Sequence, residues 1–587
     1  MSAIDDSSTP EPIGRGERIT LIVILAAALG LRMLYLSEIS GHPLFTTLSG
    51  DPAVYFAQAR DILAGSLVPP HAFFHSSPLY PFFLALISRL GGEGLQAIRV
   101  VQSFFGTLTV LLIFLLGRRA AGVRSGLVAA AFAALYSPFI FFEGEVLEIT
   151  LVITFLSGSL LLLAASSRKV SLWRAVVAGG LLGMAGMGKP NVLLFAPVAA
   201  LWLWLAGGKE RPSGRSGPER GRALAASAFF LAAGLVVLPA TIHNYRAEGD
   251  FIPVSSNGGI NLFIGNHTGS PGVFQVPPDM RFDLRVASKQ AAERATGRSL
   301  TSGEVSDYWT RQTLGQIAAA PGSWLALMGR KLVLFWNHYE IPNHYHLYYV
   351  REFAPVLRLP VATFGVVAPL GLLGIALAAR RRKEARLLAL FGVTFMVSVL
   401  PFFITGRYRL AVVIVLLVGT GAAVTEFLKL TRARAWKRLL VAAAVLAVLA
   451  VAVNVNTIEF GYAQMHNTVG AILGRRGDME GAAAQFRLAV RENPSDLSAR
   501  YNLGLALLRL GRYDEAADEF RRAVEEYPGY HEAWLDLGRA LAAGGRGTEA
   551  AEAWRHVVDA RPQAPQALVS EAMRLIAAEE DGEPDGR

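Results

Sequence analysis

Long, charge-poor apolar runs limit what this chain can fold into more than any other feature. They include Leu21–Leu31, continuing past Arg32 to Leu36, then Val100–Gly117, Ile149–Ala165, Ala223–Ala240 and Leu439–Val453. A helix of about 20 apolar residues crosses the hydrocarbon core of a bilayer. With no water in that core, each segment must satisfy its own backbone hydrogen bonds, which a helix does. Composition agrees: 17% of the residues are charged, against about 25% in a soluble chain. The expected class is all-α, a polytopic transmembrane bundle.

The formal net charge of +10 suggests topology, not nucleic acid. The excess lies in short loops between apolar runs, which is the positive-inside pattern. Spans are expected near 19–37, 97–117, 126–142, 147–166, 175–188, 191–207, 223–243, 359–379, 387–405, 410–428 and 438–454, about eleven in all. With the N-terminus inside, the clusters Arg118–Arg119–Arg124, Arg168–Lys169–Arg174, Lys209–Arg222, Arg380–Arg386 and Lys429–Arg438 all fall inside. That parity requires Pro78–Leu90, too short to span, to lie at the interface. Amphipathic Trp324–Glu340 is placed there too. The loops 38–96 and 244–357 and the C-terminal domain are then exterior. The first run has no small-residue cleavage signal after it and is read as a retained span.

The C-terminal region repeats with a period of 34. Pro494, Pro528 and Pro562 share that spacing, as do Gly470, Gly504 and Gly538, and Gly477, Gly511 and Gly545. Ala482, Ala516 and Ala550 follow it, as do Phe486, Phe520 and Trp554. Each unit reads as helix, glycine turn, helix, proline stop. The segment YNLGLALLRLGRYDEAADEFRRAVEEYP is very similar to the tetratricopeptide (TPR) consensus. Units of this kind stack into an α-solenoid whose concave face suits a protein partner, or which serves as a rigid spacer. The resemblance covers about 460–562, with 563–580 as a capping helix. The domains expected are a tail 1–18, a membrane domain 19–457, a repeat domain 458–580 and a tail 581–587.

Chemistry must come from the exterior loops and span ends. The chain has no cysteine, which excludes disulfides, thiolate metal sites and cysteine nucleophiles. On the residues alone, Asp51 followed by Pro52 reads as a helix N-cap, with Tyr55 one turn on and on the same face. His75, Pro78 and Tyr80 follow. Glu143, Glu145 and Glu148 cluster at an outer turn; carboxylates near membrane depth are costly and tend to be functional, although a solvated turn suffices for Glu143 and Glu145. Lys189 in the turn Gly188-Lys189-Pro190-Asn191, and Arg407 and Arg409 of GRYR, are exterior cations that could hold an anion; the alternative is snorkelling, the expectation for Arg32. Asn257-Gly258-Gly259 is a turn signal, and the sequon-like Asn266-His267-Thr268 is read as chance.

The order of these pieces resembles the GT-C superfamily of membrane glycosyltransferases, and within it the protein O-mannosyltransferases and the lipid A aminoarabinose transferase. In order they are GDPAVYFAQA, HSSPLYPFFLALISRLGG with AIRVVQSFFGTLTVLLIFLLGRR, FFEGEVLEITL, GLLGMAGMGKPNVLLFAP, NYRAEGDFIPVSSNGGINLFIGNHTGSPG, LFWNHYEIPN and FFITGRYRLAVVIVLLVG. They span about 19–430. The resemblance implies a polyprenyl-phosphate sugar donor, an acceptor (protein, lipid or glycan) arriving from the outer side, and inversion at the anomeric carbon. It implies Asp51 as general base and a sugar- or cation-binding role for Glu148; the phosphate it implies needs cations, for which Lys189, Arg407 and Arg409 are the candidates, and Tyr55 and His75 complete the expected substrate-binding residues. Gly265-Asn266 matches a position that packs the loop over the site; His338 and Glu340 are expected to face it. Where the aminoarabinose enzyme has FEKPP, with the lysine on phosphate, this chain reads FHSSP, so the phosphate must be held otherwise.

No cofactor is required on this reading. His75 and Glu148 offer two ligands for a divalent cation, short of a full metal set. The expected location is a plasma (inner) membrane of a bacterial envelope, N-terminus cytoplasmic, repeats on the periplasmic or extracellular side. Two other classes stay open: a non-catalytic TPR scaffold for an envelope complex, and a transporter, although 19–454 shows no internal repeat of the transporter kind.

Overall fold

A computed structural model describes residues 12–66, 72–73, 79–92, 94–167, 170–205, 218–275, 284–359, 361–458, 461–560 and 564–580. His75 and Pro78 lie outside the described residues, so the expectation for His75 has no structural counterpart. The described residues are helical, with one isolated parallel bridge, Val273 to Ile404, and no named strand. The chain divides into two compact units, Met1–Ser40 with Leu48–Glu459, and Gly41–Thr47 with Phe460–Arg587.

The first unit is the membrane domain. Among the described residues, six of its helices are long and apolar enough to cross a bilayer: Arg15–Ile39, Leu95–Ala121, Ile149–Ser166, Arg220–Glu248, Gly406–Arg432 and Trp436–Asn454. Val123–Leu135 with Ser137–Gly144, bent by 49° at Tyr136, makes a seventh when counted as one span. The expected spans near 175–188, 191–207 and 359–379 coincide with the shorter apolar helices Leu172–Gly188, Pro190–Leu205 and Phe364–Ala379. The expected interfacial stretch Pro78–Leu90 is the helix Leu79–Gly91.

Gly406–Arg432 is the spine, buried along most of its length. It packs against Phe364–Ala379 so closely that a Cβ on Gly371 would meet the carbonyl of Leu416 at 2.5 Å. In lipid no hydrophobic force pulls helices together, so small residues that admit backbone-to-backbone packing hold such a pair.

The glycines Gly258 and Gly259, expected in a turn, instead open the helix Gly258–Asn266. The reason is close approach. A Cβ on Gly259 would overlap the Ser306 carbonyl, and one on Gly265 would lie 2.6 Å from the Phe402 carbonyl carbon. Asn266 then ties this helix to its surroundings: its amide donates to Leu262 O and Pro401 O, and its oxygen accepts from Trp324 Nε1 and Lys331 Nζ.

The second unit is the solenoid. Helix pairs Ala463–Arg475 and Met479–Glu492, Leu497–Arg509 and Tyr513–Glu526, and His531–Ala543 and Gly547–Asp559 stack in sequence, and Gln566–Glu580 closes the stack. The 34-residue glycines do two jobs. Gly477, Gly511 and Gly545 turn the chain at φ of +86°, +74° and +78°, which costs glycine little. Gly470 and Gly504 lie under the rings of Phe486 and Phe520, where a Cβ would come within 2.7 and 2.6 Å. Gly41–Thr47, expected to be only membrane-domain loop, packs in this unit, with Leu44 and Phe45 buried and the Arg476 guanidinium donating to both threonine hydroxyls.

Candidate functional site

The site begins at the break between Ser137–Gly144 and Ile149–Ser166. Two polar side chains from Leu95–Ala121 hold this connection. Arg99 Nε donates to Gly144 O, and Gln102 Nε2 donates to Glu143 O and Glu145 O, all at 2.8 Å. Tyr80 Oη donates in turn to Gln102 Oε1. With the carbonyls taken, three carboxylates leave the turn in different directions.

All three are buried, Glu143 at 4% and Glu145 and Glu148 at 1% exposure, which corrects the solvated turn expected for Glu143 and Glu145. Glu143 turns to Arg32, with Nε to Oε2 at 2.5 Å and Nη2 to Oε1 at 2.9 Å. Arg32 also donates to Ala28 O and is 1% exposed, so it is a buried ion-pair partner and does not snorkel. Glu148 meets Lys189 Nζ at 2.8 Å. Burial alone would push the Glu148 carboxyl up; Lys189 and Arg407 outweigh it and hold it below the usual carboxylate range. Glu145 goes the other way: burial dominates the pull of Arg407, Asp51 and Glu148 add to it, and its carboxyl rises to about 8.

Asp51 approaches from the helix Asp51–Leu63. It is the first helical residue and not the N-cap; Gly50 takes that place at φ +60°. Arg407 Nη1 stands 3.5 Å from Asp51 Oδ2. Asp51 is the accessible acid of the group: a third of its side chain is exposed, against 1% for Glu145 and Glu148. Arg407 is buried, with Glu148, Asp51 and Tyr55 among its electrostatic neighbours. The Tyr408 ring carries both cations, Lys189 Nζ at 4.7 Å and the Arg407 guanidinium at 5.5 Å from its centroid. Tyr55 is buried, edge-on to Tyr80 at 5.5 Å. Asp51, Tyr55, Glu148, Lys189 and Arg407 thus form one cluster.

Arg409 stands apart from it. Its guanidinium donates to Phe335 O, Asn337 O and Tyr339 O, pairs with Glu340 Oε2 at 2.9 Å, and lies over the Phe364 ring at 3.9 Å. Glu340 also accepts from Tyr136 Oη. The expected substrate cation Arg409 and the expected site-facing Glu340 therefore satisfy one another inside the bundle. His338 pairs through its backbone with Val453 O.

Sequence reasoning missed Arg99, Gln102 and His344. Arg99 and Gln102 had a signal, as polar residues at the start of an apolar run. His344 had none: its Nε2 donates to Ser49 O at 2.8 Å across a separation of 295 residues. For a metal, no group of three His, Cys, Asp or Glu is placed to hold an ion among the described residues.

Residues 75–237 match the family described as dolichyl-phosphate-mannose-protein mannosyltransferase. This segment is therefore similar to that mannosyltransferase family, and tetratricopeptide repeats follow it in the C-terminal region. The repeat matches cover residues 470–531 and 507–572. The matched segment holds Glu143, Glu145, Glu148 and Lys189, and the chain is a multi-pass membrane protein.

Among solved structures, the Archaeoglobus fulgidus oligosaccharyltransferase in complex with Zn and sulfate is similar at 16% identity and a TM-score of 0.42, over 79% of this chain and 57% of that one. The same organism's oligosaccharyltransferase AglB, in complex with an inhibitory peptide and a dolichol-phosphate, is 13% identical with a TM-score of 0.44, over 80% and 59%. ArnT from Cupriavidus metallidurans bound to undecaprenyl phosphate is 13% identical with a TM-score of 0.42, over 96% and 88%. The chain therefore spans less than two thirds of the archaeal enzyme's length. No curated protein matches the sequence.

Proposed function

We propose that this chain is a membrane glycosyltransferase that moves a sugar from a polyprenyl-phosphate donor to an acceptor hydroxyl on the outer face of a bacterial plasma membrane. The reaction inverts the anomeric carbon, with Asp51 as general base and the repeats recruiting the acceptor or a partner protein. One observation carries the reading: Asp51 is the open carboxylate of a buried acidic cluster, with Arg407 beside it. The arrangement suits inverting displacement. A phosphate leaving group is already a stable anion and needs no strong acid; the acceptor hydroxyl needs a base, which contributes roughly 10²–10⁴-fold. Lys189 and Arg407, fixed on Tyr408, are the cations available to the phosphate.

The test uses purified protein in lipid and a panel of radiolabelled polyprenyl-phosphate sugars, comparing wild type with Asp51→Asn. Release of sugar from one donor, reduced by about 10²–10⁴-fold in the variant, is the expected result. Undiminished transfer by Asp51→Asn removes the base assignment. A folded protein that turns over no donor, with acceptor supplied through an envelope extract, moves the function to the repeats and to a scaffold.

A further inference from the structure

Glu145, which is buried, and His344, half-buried with its Nδ1 out of solvent, are two polar groups that the proposed reaction leaves without a task. Both Glu145 carboxyl oxygens and His344 Nδ1 are buried with no hydrogen-bond partner among the described residues. Burying such atoms unmade costs about 1–3 kcal/mol each, so a fold that keeps them calls for an explanation. The two groups face one another, His344 Nδ1 to Glu145 Oε2 at 3.8 Å.

From the geometry at Ser49 we infer that His344, backed by Glu145, is a positioning residue for the Asp51 base; this rests on the reading of Asp51 given above. A carbonyl oxygen only accepts, so the 2.8 Å contact with Ser49 O requires the proton on His344 Nε2. Nδ1 is then the bare nitrogen, turned toward Glu145. The same ring lies against Gly50, where a Cβ would come within 2.9 Å of Nε2. Gly50 holds φ +60° and ψ −142° immediately before Asp51. Glycine reaches that region without strain; the His344 ring leaves no room for a side chain there, and its bond to Ser49 O fixes the peptide that precedes Asp51. The Glu145 end is rigid in turn, because Gln102 holds its carbonyl. At 3.8 Å the carboxyl is beyond hydrogen-bond reach of Nδ1; because Nδ1 only accepts, the bond is donated by the protonated Glu145 carboxyl after an approach of about 1 Å. The chain Glu145, His344, Ser49-Gly50, Asp51 thus sets where the base carboxylate stands beside Arg407. His344 touches no reacting atom on this account and acts through Asp51.

The test is the donor assay, with kcat and the donor KM resolved, on His344→Ala, His344→Gln and Asp51→Asn, each in the full chain. A second readout needs no donor: labelling of the Asp51 carboxyl by a water-soluble carbodiimide and an amine, quantified by peptide mass spectrometry. His344→Ala is expected to lower kcat by about 10²-fold, the cost of an ångström-scale misplacement, with the donor KM unchanged and Asp51 labelling altered. His344→Gln retains an N–H for Ser49 O and is expected to restore most of both, even where the alanine variant folds poorly. Wild-type kcat and labelling in His344→Ala, or a glutamine variant that melts like wild type yet is as impaired as alanine, overturns the inference. Transfer that survives in Asp51→Asn removes the base reading and this inference with it. Transfer lost in Asp51→Asn and intact in His344→Ala overturns this inference alone.

Discussion

Gly50 and Glu145 show how much of this site depends on single residues whose types look incidental in the sequence. Gly50 sits at φ +60° under the His344 ring, so Gly50→Ala meets both a backbone penalty and a steric one. Its expected effect is a fall in kcat with donor affinity retained, read in the same donor assay. Glu145 predicts a pH dependence. Burial lifts its carboxyl from the ordinary 4.5 to about 8, against Arg407 and with Asp51 and Glu148. A folded-state value above the unfolded one means that protonated Glu145 favours the native state at low pH, and this contribution is lost as pH rises through the folded value. Between about pH 5 and pH 8, the wild-type melting temperature should therefore fall relative to that of Glu145→Gln. Parallel melting profiles of the two proteins across that window would contradict the assignment.

At the scale of elements, the ion pair Arg32–Glu143 joins Arg15–Ile39 to Ser137–Gly144 inside the bundle. Removing one partner leaves a buried charge alone and typically costs about 3–5 kcal/mol. Arg32→Met is expected to destabilise the protein by that order, and Arg32→Met with Glu143→Leu to recover most of it, as thermal unfolding in detergent would show. A single variant with wild-type stability would count against a buried pair. In the solenoid, a Cβ at Gly504 meets the Phe520 ring at 2.6 Å; forcing a methyl into a packed core costs about 1–3 kcal/mol. Gly504→Ala should lower the repeat transition, measured by circular dichroism of the full chain. Helix positions and repeat register were legible in the sequence because both follow from local periodicity. The partner of Arg32 was not, since Glu143 is 111 residues away and nothing local to Arg32 distinguishes a snorkelling stem from a pairing one.

At the scale of the whole molecule, the proposed sides of the membrane rest on the charge distribution. The absence of cysteine makes this directly testable, because an introduced thiol is the only one present. Arg381 and Glu526 are both exposed. With an impermeant maleimide on intact cells stripped of outer barriers, Glu526→Cys is expected to label and Arg381→Cys to label only after permeabilisation. The reverse pattern would invert the proposed topology and place the Asp51 loop on the inner face.

The sequence by itself determined the membrane class, the places of the apolar helices and the 34-residue solenoid. These depend on hydrophobic run length and on repeated spacing, which are properties of neighbouring residues. Glu148, Lys189 and Arg407 stood out as charges beside a bilayer, which are costly, whereas Asp51 read as a helix cap on the residues alone and entered only through the resemblance. Only the tertiary structure decided which charges meet. It gave Arg409 to Glu340 and three backbone carbonyls, Glu143 to Arg32 and Glu148 to Lys189, left Glu145 facing His344, and brought His344 to the backbone before Asp51. Pairing inside a low-dielectric core depends on distance and desolvation, and both are set by helix packing between segments far apart in the chain, 111 residues for Arg32 and Glu143 and 295 for His344 and Ser49.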